Sequence, residues 1–440
     1  MKVVLLCSLW IFSILSGSMH ATDHLTIISP HRKSIQNEYI PLFKQHYQKT
    51  YGRQIQIDWL DQGGTENDLR FVQAKYEQTP EHSNIDIFWG GGNITFQTLE
   101  EKGLLEHPRL DKTITERLPA TIHGIPLRSA GQFWYASALS SFGILFNKRL
   151  LAMLKIPLPK NWKSLGDTVY HNHLSVADPR KSSSSLMMNL IILEALGWED
   201  GWATLTRVAG NTKKFTLSSS APIKAIVSGQ AALATAIDFY ASAKINLLGK
   251  DNLGFLLPPG ETIINSDPIA ILKGSKNFVA AQRFIHFVLS DRGQKLLLLA
   301  KGSVGGPKRS YLGRMAVFPS IYRDPKLEGV IDPFSMPKQK FRVDLKKISK
   351  IKSIVGDLVG ALHIDLHHDL RSVWARLIQQ KLPADALQSL VKPILTEKEM
   401  YELATKWEDN VFRNKMINLW TKQTKIRYQE IARKLEKIHS

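Results

Sequence analysis

The stretch Asn84–Glu106, NIDIFWGGGNITFQTLEEKGLLE, decides how this chain is read. Ile85–Trp89 is a short apolar run, the pattern of a strand buried on both faces. Phe96–Gly103 carries helical spacing and closes on a glycine. Gly90, Gly91 and Gly92 therefore stand on a strand-to-helix turn. In α/β proteins such turns bring bare backbone amides and a helix N-terminus up to a ligand. The plainer reading of the glycines is tight turn geometry alone.

Working outward, the same alternation recurs. His24–Pro30 is a β run ending in a turn, Ile35–Gly52 a helical pattern with a closing glycine, Arg53–Gly64 an alternating half-buried strand, and Glu66–Gln78 a second helix. Strand, helix, strand, helix, strand implies a parallel sheet in an α/β fold. Ligands of such sheets sit beyond the carboxyl ends of the strands. That flags three places: Ser29-Pro30-His31, Gly63-Gly64-Thr65 and Trp89-Gly90-Gly91. A second α/β block follows, with strands at Phe142–Asn147, Leu174–Pro179 and Ala232–Asp238 and helices at Ser185–Gly197 and Gly201–Asn211. The segment SDPIAILKGSKNFVAAQRFIHFVLSDRGQKLLLLAKG then gives one more strand and a long amphipathic helix. No internal repeat is visible.

Composition narrows the classes. The 440 residues include 58 Lys or Arg against 39 Asp or Glu, a formal net charge of +19. Such a balance suits nucleic acid, an acidic membrane surface or an anionic small ligand. The start, MKVVLLCSLWIFSILSGSMHA, has Lys2, an apolar run from Val3 to Leu15 and then small residues. This is the pattern of a secretory leader cut after Ser18 or Ala21. Export argues against nucleic acid as the partner. Cys7 is the single cysteine and lies in the leader, so disulfides, thiol chemistry and Cys-based metal sites are excluded. Hydroxyls at Ser182–Ser185, just before a helix, and at Thr65 suit phosphate or carboxylate, although N-capping accounts for them as well. Trp89, Trp134 and Tyr135 read as ring-stacking surfaces or as ordinary packing.

Four pieces in order, TIISPHRKSIQNEYIPLFKQHYQKTYG, DIFWGGG, VSGQAALATAIDFYA and NSDPIAILKGSKNFVAAQRFIHFVLSDRGQKLLL, resemble the substrate-binding proteins of ABC importers. The resemblance is to the two-lobed type 2 family that includes ferric-iron, sugar-phosphate, phosphoglycerate and thiamine binding proteins. It covers residues 24 to 320. It implies two α/β lobes: 22–126 with 263–320, and 127–262, behind a leader at 1–21 and before a helical extension at 321–440. It further implies a periplasmic monomer without enzymatic activity or cofactor, a ligand held in the interlobe cleft, hinge closure, and delivery to an ABC permease in the inner membrane. The rival expectation is an exported hydrolase, but the chain has no G-x-S-x-G, HExxH or P-loop.

The ligand residues expected on this reading are His31, Gly63, Gly64, Thr65, Trp89, Gly90, Gly91, Ser183, Ser184, Asp238 and Tyr240. Ferric-binding members use adjacent tyrosines as phenolate ligands. Here that pair reads Phe239-Tyr240, so one phenolate is missing. An anion with an organic body is therefore placed ahead of iron. Were iron bound, His31, Glu66 and Tyr240 would hold it. His363 and His367, four apart, have metal-ligand spacing but read as a surface patch. The extension, with Trp374, Trp407 and Trp420, is expected to pack outside a lobe or to offer a basic surface to a partner or membrane.

Overall fold

The computed structural model describes residues 22–437 except 325, 326, 328 and 329; the leader, with Cys7, lies outside them. The first unit runs β1 (Asp23–Ile28), α1 (Lys33–Tyr51), β2 (Ile55–Leu60), α2 (Thr65–Gln78), β3 (Ile87–Trp89), α3 (Asn93–Glu101) and β4 (Leu105–Glu106). The strands are parallel, as the alternation implied, and β1 lies between β2 and β3. A short helix α4 (Lys112–Thr115) and the hairpin β5 (Thr121–Ile122) with β6 (Ile125–Pro126) lead to the crossover strand β7 (Trp134–Asn147).

β7 joins the lobes. Its 14 residues are buried except the last. The chain continues through α5 (Lys148–Leu154), β8 (Leu174–Ala177), α6 (Ser183–Leu196), α7 (Trp198–Asn211), β9 (Thr212–Thr216), α8 (Ala221–Val227), β10 (Leu233–Ile237), α9 (Asp238–Leu248) and β11 (Leu253–Leu256), and returns on β12 (Ile264–Leu272). The first half of β7 pairs with β12, and its second half pairs with β10 and β11. The sheet order is β2-β1-β3-β12-β7-β10-β8-β9. One long strand thus carries hydrogen bonding from one lobe into the other.

Neighbouring strand residues point to opposite faces, so each sheet has two cores. Ile27 joins Tyr39, Phe43, Trp89 and Phe284, whereas Ile28 joins Val72, Phe88, Phe96 and Trp134. In the second lobe Ile144 packs with Trp162, Ile191 and Trp202, and Leu145 with Ile223 and Ala234. The long helix expected after β12 is two helices, α10 (Phe278–Val288) and α11 (Asp291–Leu298). Ser290 breaks it, its hydroxyl accepting from the Gly293 amide as the cap of the second helix.

The extension forms α12 (Leu345–Val359), α13 (His367–Gln379), α14 (Ala384–Val391), α15 (Glu397–Ala404) and α16 (Asn410–Lys437). It packs on the second lobe. Ile348, Ile351, Ile354 and Val355 of α12 enter the core that holds Ile191 and Trp202, and Trp407 stacks on Trp420 at 5.3 Å. The Trp374 indole N–H donates to Asn211 Oδ1 at 2.7 Å, its ring lying where a side chain at Gly210 would be. The tail also reaches the first lobe: Ile94 of α3 shares the α12 core, and Lys352 Nζ pairs with Glu66 Oε1 at 2.8 Å. His363 and His367 are not the expected surface patch. His363 is buried against the Thr206 hydroxyl, and His367 Nε2 lies 3.2 Å from the Ala209 carbonyl. Among the described residues no helix is long and apolar enough to cross a membrane.

Candidate functional site

The strand ends flagged in the sequence converge where the lobes meet. At the end of β1, His31 is buried and both ring nitrogens are used. Nδ1 lies 3.0 Å from Ser29 Oγ and Nε2 lies 2.7 Å from Asp267 Oδ2. Asp267 sits at a register shift in β12, just before Pro268. The irregularity turns its carboxylate toward the glycine turn, where Oδ1 accepts from the Gly91 amide at 2.9 Å. Arg314 donates to Asp267 Oδ2. Burial alone would raise the Asp267 carboxyl, but Arg314 and then His31 outweigh it and hold the group below the usual carboxylate range. Burial pulls the His31 imidazole below its ordinary range, against the opposing pull of the Asp267 carboxylate. The bonding assigns its proton to Nε2, donated to Asp267, with Nδ1 accepting from Ser29.

The three glycines now have an explanation. Gly90 and Gly91 hold φ of 93° and 103°, a region that side chains rarely adopt. A Cβ on Gly90 would lie 2.7 Å from the His31 ring, and one on Gly91 would collide with Thr65. The turn is pressed into the Asp267–His31 network. Its amides are largely committed, Gly90 N to the Pro268 carbonyl at 2.8 Å and Gly91 N to Asp267. Most of the turn's hydrogen bonding is thus within the protein. The same is true of Gly63 and Gly64, whose amides donate to Asp61 Oδ1 at 2.8 and 3.3 Å.

Trp89 lies in the core. It is 2% exposed, its indole N–H donates to Ser137 Oγ at 2.7 Å, and its ring meets His31, Tyr39 and Phe284 edge-on. Trp134 and Tyr135 are buried too. At the start of α6, Ser182 is the cap, accepting from the Ser185 amide, and with Ser184 it bonds the Ser219 hydroxyl. Ser183 is exposed.

The facing wall comes from α9. Asp238 is its first residue, buried, with Oδ1 accepting from the Phe239 amide at 2.7 Å. Burial pushes its carboxyl up to about 7, against the pull of that amide and of Arg314. Two arginines that no sequence pattern singles out meet α9. The Arg314 guanidinium stacks on Phe239 at 4.1 Å. Arg32, at the start of α1, lies over Tyr240 at 4.1 Å. The lobes are thus closed on each other through Arg32. Burial lowers Arg32 to about 10, which leaves it charged at neutral pH, and among the described residues it has no ion pair. Asn265 adds a buried side-chain oxygen that meets no hydrogen-bond donor among the described residues, with its Nδ2 beside Gly92.

The residues that would hold iron all have other partners here. Both His31 nitrogens are engaged, Glu66 is paired with Lys352, and Tyr240 lies beneath Arg32. Among the described residues no group of three or more His, Cys, Asp or Glu stands together as a metal site.

Two α/β lobes bridged by paired crossover strands, with charged residues sealed between them, define a two-lobed periplasmic binding protein. Solved structures agree on the fold. The chain matches AfuA from Actinobacillus pleuropneumoniae, determined with exogenous fructose-6-phosphate, at TM-score 0.58 and 18% identity over 82% of this chain and all of that one. It matches iron-bound HitA from Pseudomonas aeruginosa at TM-score 0.58 and 16% identity, over 77% of this chain and 99% of that one. Among curated proteins, the phosphoglycerate transport regulatory protein PgtC of Salmonella typhimurium is 26% identical over 316 residues, 72% of this chain and 74% of its own length. The family of bacterial extracellular solute-binding proteins matches residues 83–307, a little over half of the chain, and the chain belongs to that family. The family is non-enzymatic and works outside the bacterial inner membrane, handing a small molecule to an ABC permease.

Proposed function

We propose that this binding protein captures a small organic anion: a phosphorylated sugar, a phosphoglycerate, or thiamine phosphate. The observation that carries the reading is Arg32, a half-buried guanidinium at the lobe interface, stacked on Tyr240 and without a carboxylate partner among the described residues. A partly desolvated cation of this kind suits an anion, because phosphate or carboxylate oxygens match its planar donors. Arg314 does not compete for that role, being neutralised by Asp267. The organic body would lie against Tyr240. A hydroxyl would satisfy the Asn265 oxygen, and a protonated Asp238 would donate to an anionic oxygen.

The names of two relatives support this class, since PgtC is linked to phosphoglycerate and AfuA holds a sugar phosphate. HitA keeps iron as the alternative cargo. Against it stand Phe239 and the dispersal of His31 and Glu66 into other contacts. Calorimetry with 3-phosphoglycerate, fructose-6-phosphate and thiamine phosphate beside ferric citrate tests the reading. Heat from a phosphorylated compound supports it. Tight ferric binding with a tyrosinate charge-transfer band, and no heat from the phosphates, overturns it.

A further inference from the structure

The last helix has two distinct faces. Trp420, Thr424, Tyr428, Ile431 and Leu435 of α16 are buried. At 100° per residue the opposite face carries Val411, Lys415, Leu419, Lys422, Ile426 and Arg433, all exposed. Its three apolar members are large and open to solvent, Val411 at 80%, Leu419 at 43% and Ile426 at 43%. The helix holds eight Lys or Arg against two Glu. Arg413 is tied to Asp357, and Glu436 is tied to Arg376. Lys415, Lys422 and Lys425 have no ion pair among the described residues.

We propose that this outer face of α16 docks on an anionic phospholipid surface. The complementarity is of charge and of shape. The stripe runs along a 28-residue helix, about 42 Å long. It is convex, so it suits a flat layer of phosphates rather than a peptide that needs a groove. Lysines are mobile point charges, matched to headgroups that have no fixed geometry. Leu419 and Ile426 alternate with Lys415 and Lys422 along it, so apolar side chains enter the headgroup boundary while the ammonium groups stay among the phosphates. This surface belongs to the helical extension, outside the family match at residues 83–307. It would hold the protein beside the membrane in which its permease sits.

The test is co-sedimentation of the full chain with vesicles of phosphatidylglycerol and phosphatidylcholine, and with vesicles of phosphatidylcholine alone. The protein is expected to sediment with the first, to be released by high salt, and to ignore the second. Reversing Lys415, Lys422 and Lys425 to Glu should lower partitioning by a hundredfold or more, at roughly fivefold for each charge removed. Reversing three exposed lysines at the opposite end of the chain, Lys33, Lys44 and Lys49, controls for net charge and should leave most of the binding in place. L419S/I426S should weaken binding at fixed charge. No sedimentation of the wild type, or equal loss in the two charge-reversed variants, would overturn the proposal. So would a wild type that ignores both vesicles yet binds an acidic peptide in a manner sensitive to the α16 changes.

Discussion

Removing Arg32 should separate binding from stability. In Arg32→Met the apolar stem still covers Tyr240, but the guanidinium is gone. A charge-assisted hydrogen bond contributes about 1.5–3 kcal/mol, and a planar fork makes up to two with one anion. The variant should therefore lose about 3–6 kcal/mol of affinity, a factor of about 150 or more. Stability should move the other way or not at all, because no carboxylate among the described residues is left unpaired and a desolvated charge is removed. The assay is titration calorimetry with whichever phosphorylated compound binds the wild type, beside thermal melts without ligand. Unchanged affinity in Arg32→Met would refute the assignment of Arg32 as the counter-charge. Loss of binding together with a large fall in Tm would show that Arg32 is structural, and would refute the argument equally.

Other outcomes follow from the same geometry. Gly91→Ala places a Cβ against Thr65 at a φ of 103° and should destabilise by about 2–4 kcal/mol, read as a lowered Tm; a melt within a degree of wild type would mean the turn is looser than its contacts imply. Asp238 rises from 3.8 to about 7 on folding, so the unfolded chain releases this proton first and the group's contribution to stability falls as pH rises from about 4 to 7. If the anion touches Asp238, affinity should drop from pH 6 to pH 8 in the wild type relative to Asp238→Asn; parallel profiles would place the ligand elsewhere. Trp374→Ala empties a fully buried site and orphans Asn211 Oδ1, which should cost about 3–5 kcal/mol in denaturant melts while leaving anion affinity intact. A loss of affinity without a loss of stability would contradict the tail's structural role there.

Much of the fold can be read from periodicity. The alternation through Glu66–Gln78 and Ile85–Trp89 implies a parallel sheet, because those helices and strands have one clear period each, but not that β1 lies between β2 and β3. The first half of β7, WYASALSS, is not legible: it is buried on both faces, so it shows no alternation, and its Ala and Ser carry little strand preference. β9, TKKFT, hides for the opposite reason, being mostly polar. At the site, His31 and Asp238 stand out as polar residues at strand ends. Arg32 stands next to His31, yet in the sequence it is one basic residue among many. Its role depends on Tyr240, which only the closed lobes bring against it. Arg314 is placed by Asp267, 47 residues away, at a strand irregularity that no local pattern announces. The glycines are legible as a turn but not as packing, since the side chains pressed on them come from other parts of the chain.

Whether the lobes hold a small organic anion can be read from a native mass spectrum of the protein taken from a bacterial periplasm without refolding. The expected spectrum shows a non-covalent adduct with the mass of a small organic anion, releasing phosphate on fragmentation and absent from Arg32→Met. An adduct with the mass of iron, in a protein that shows tyrosinate absorption and keeps the metal in Arg32→Met, would contradict it.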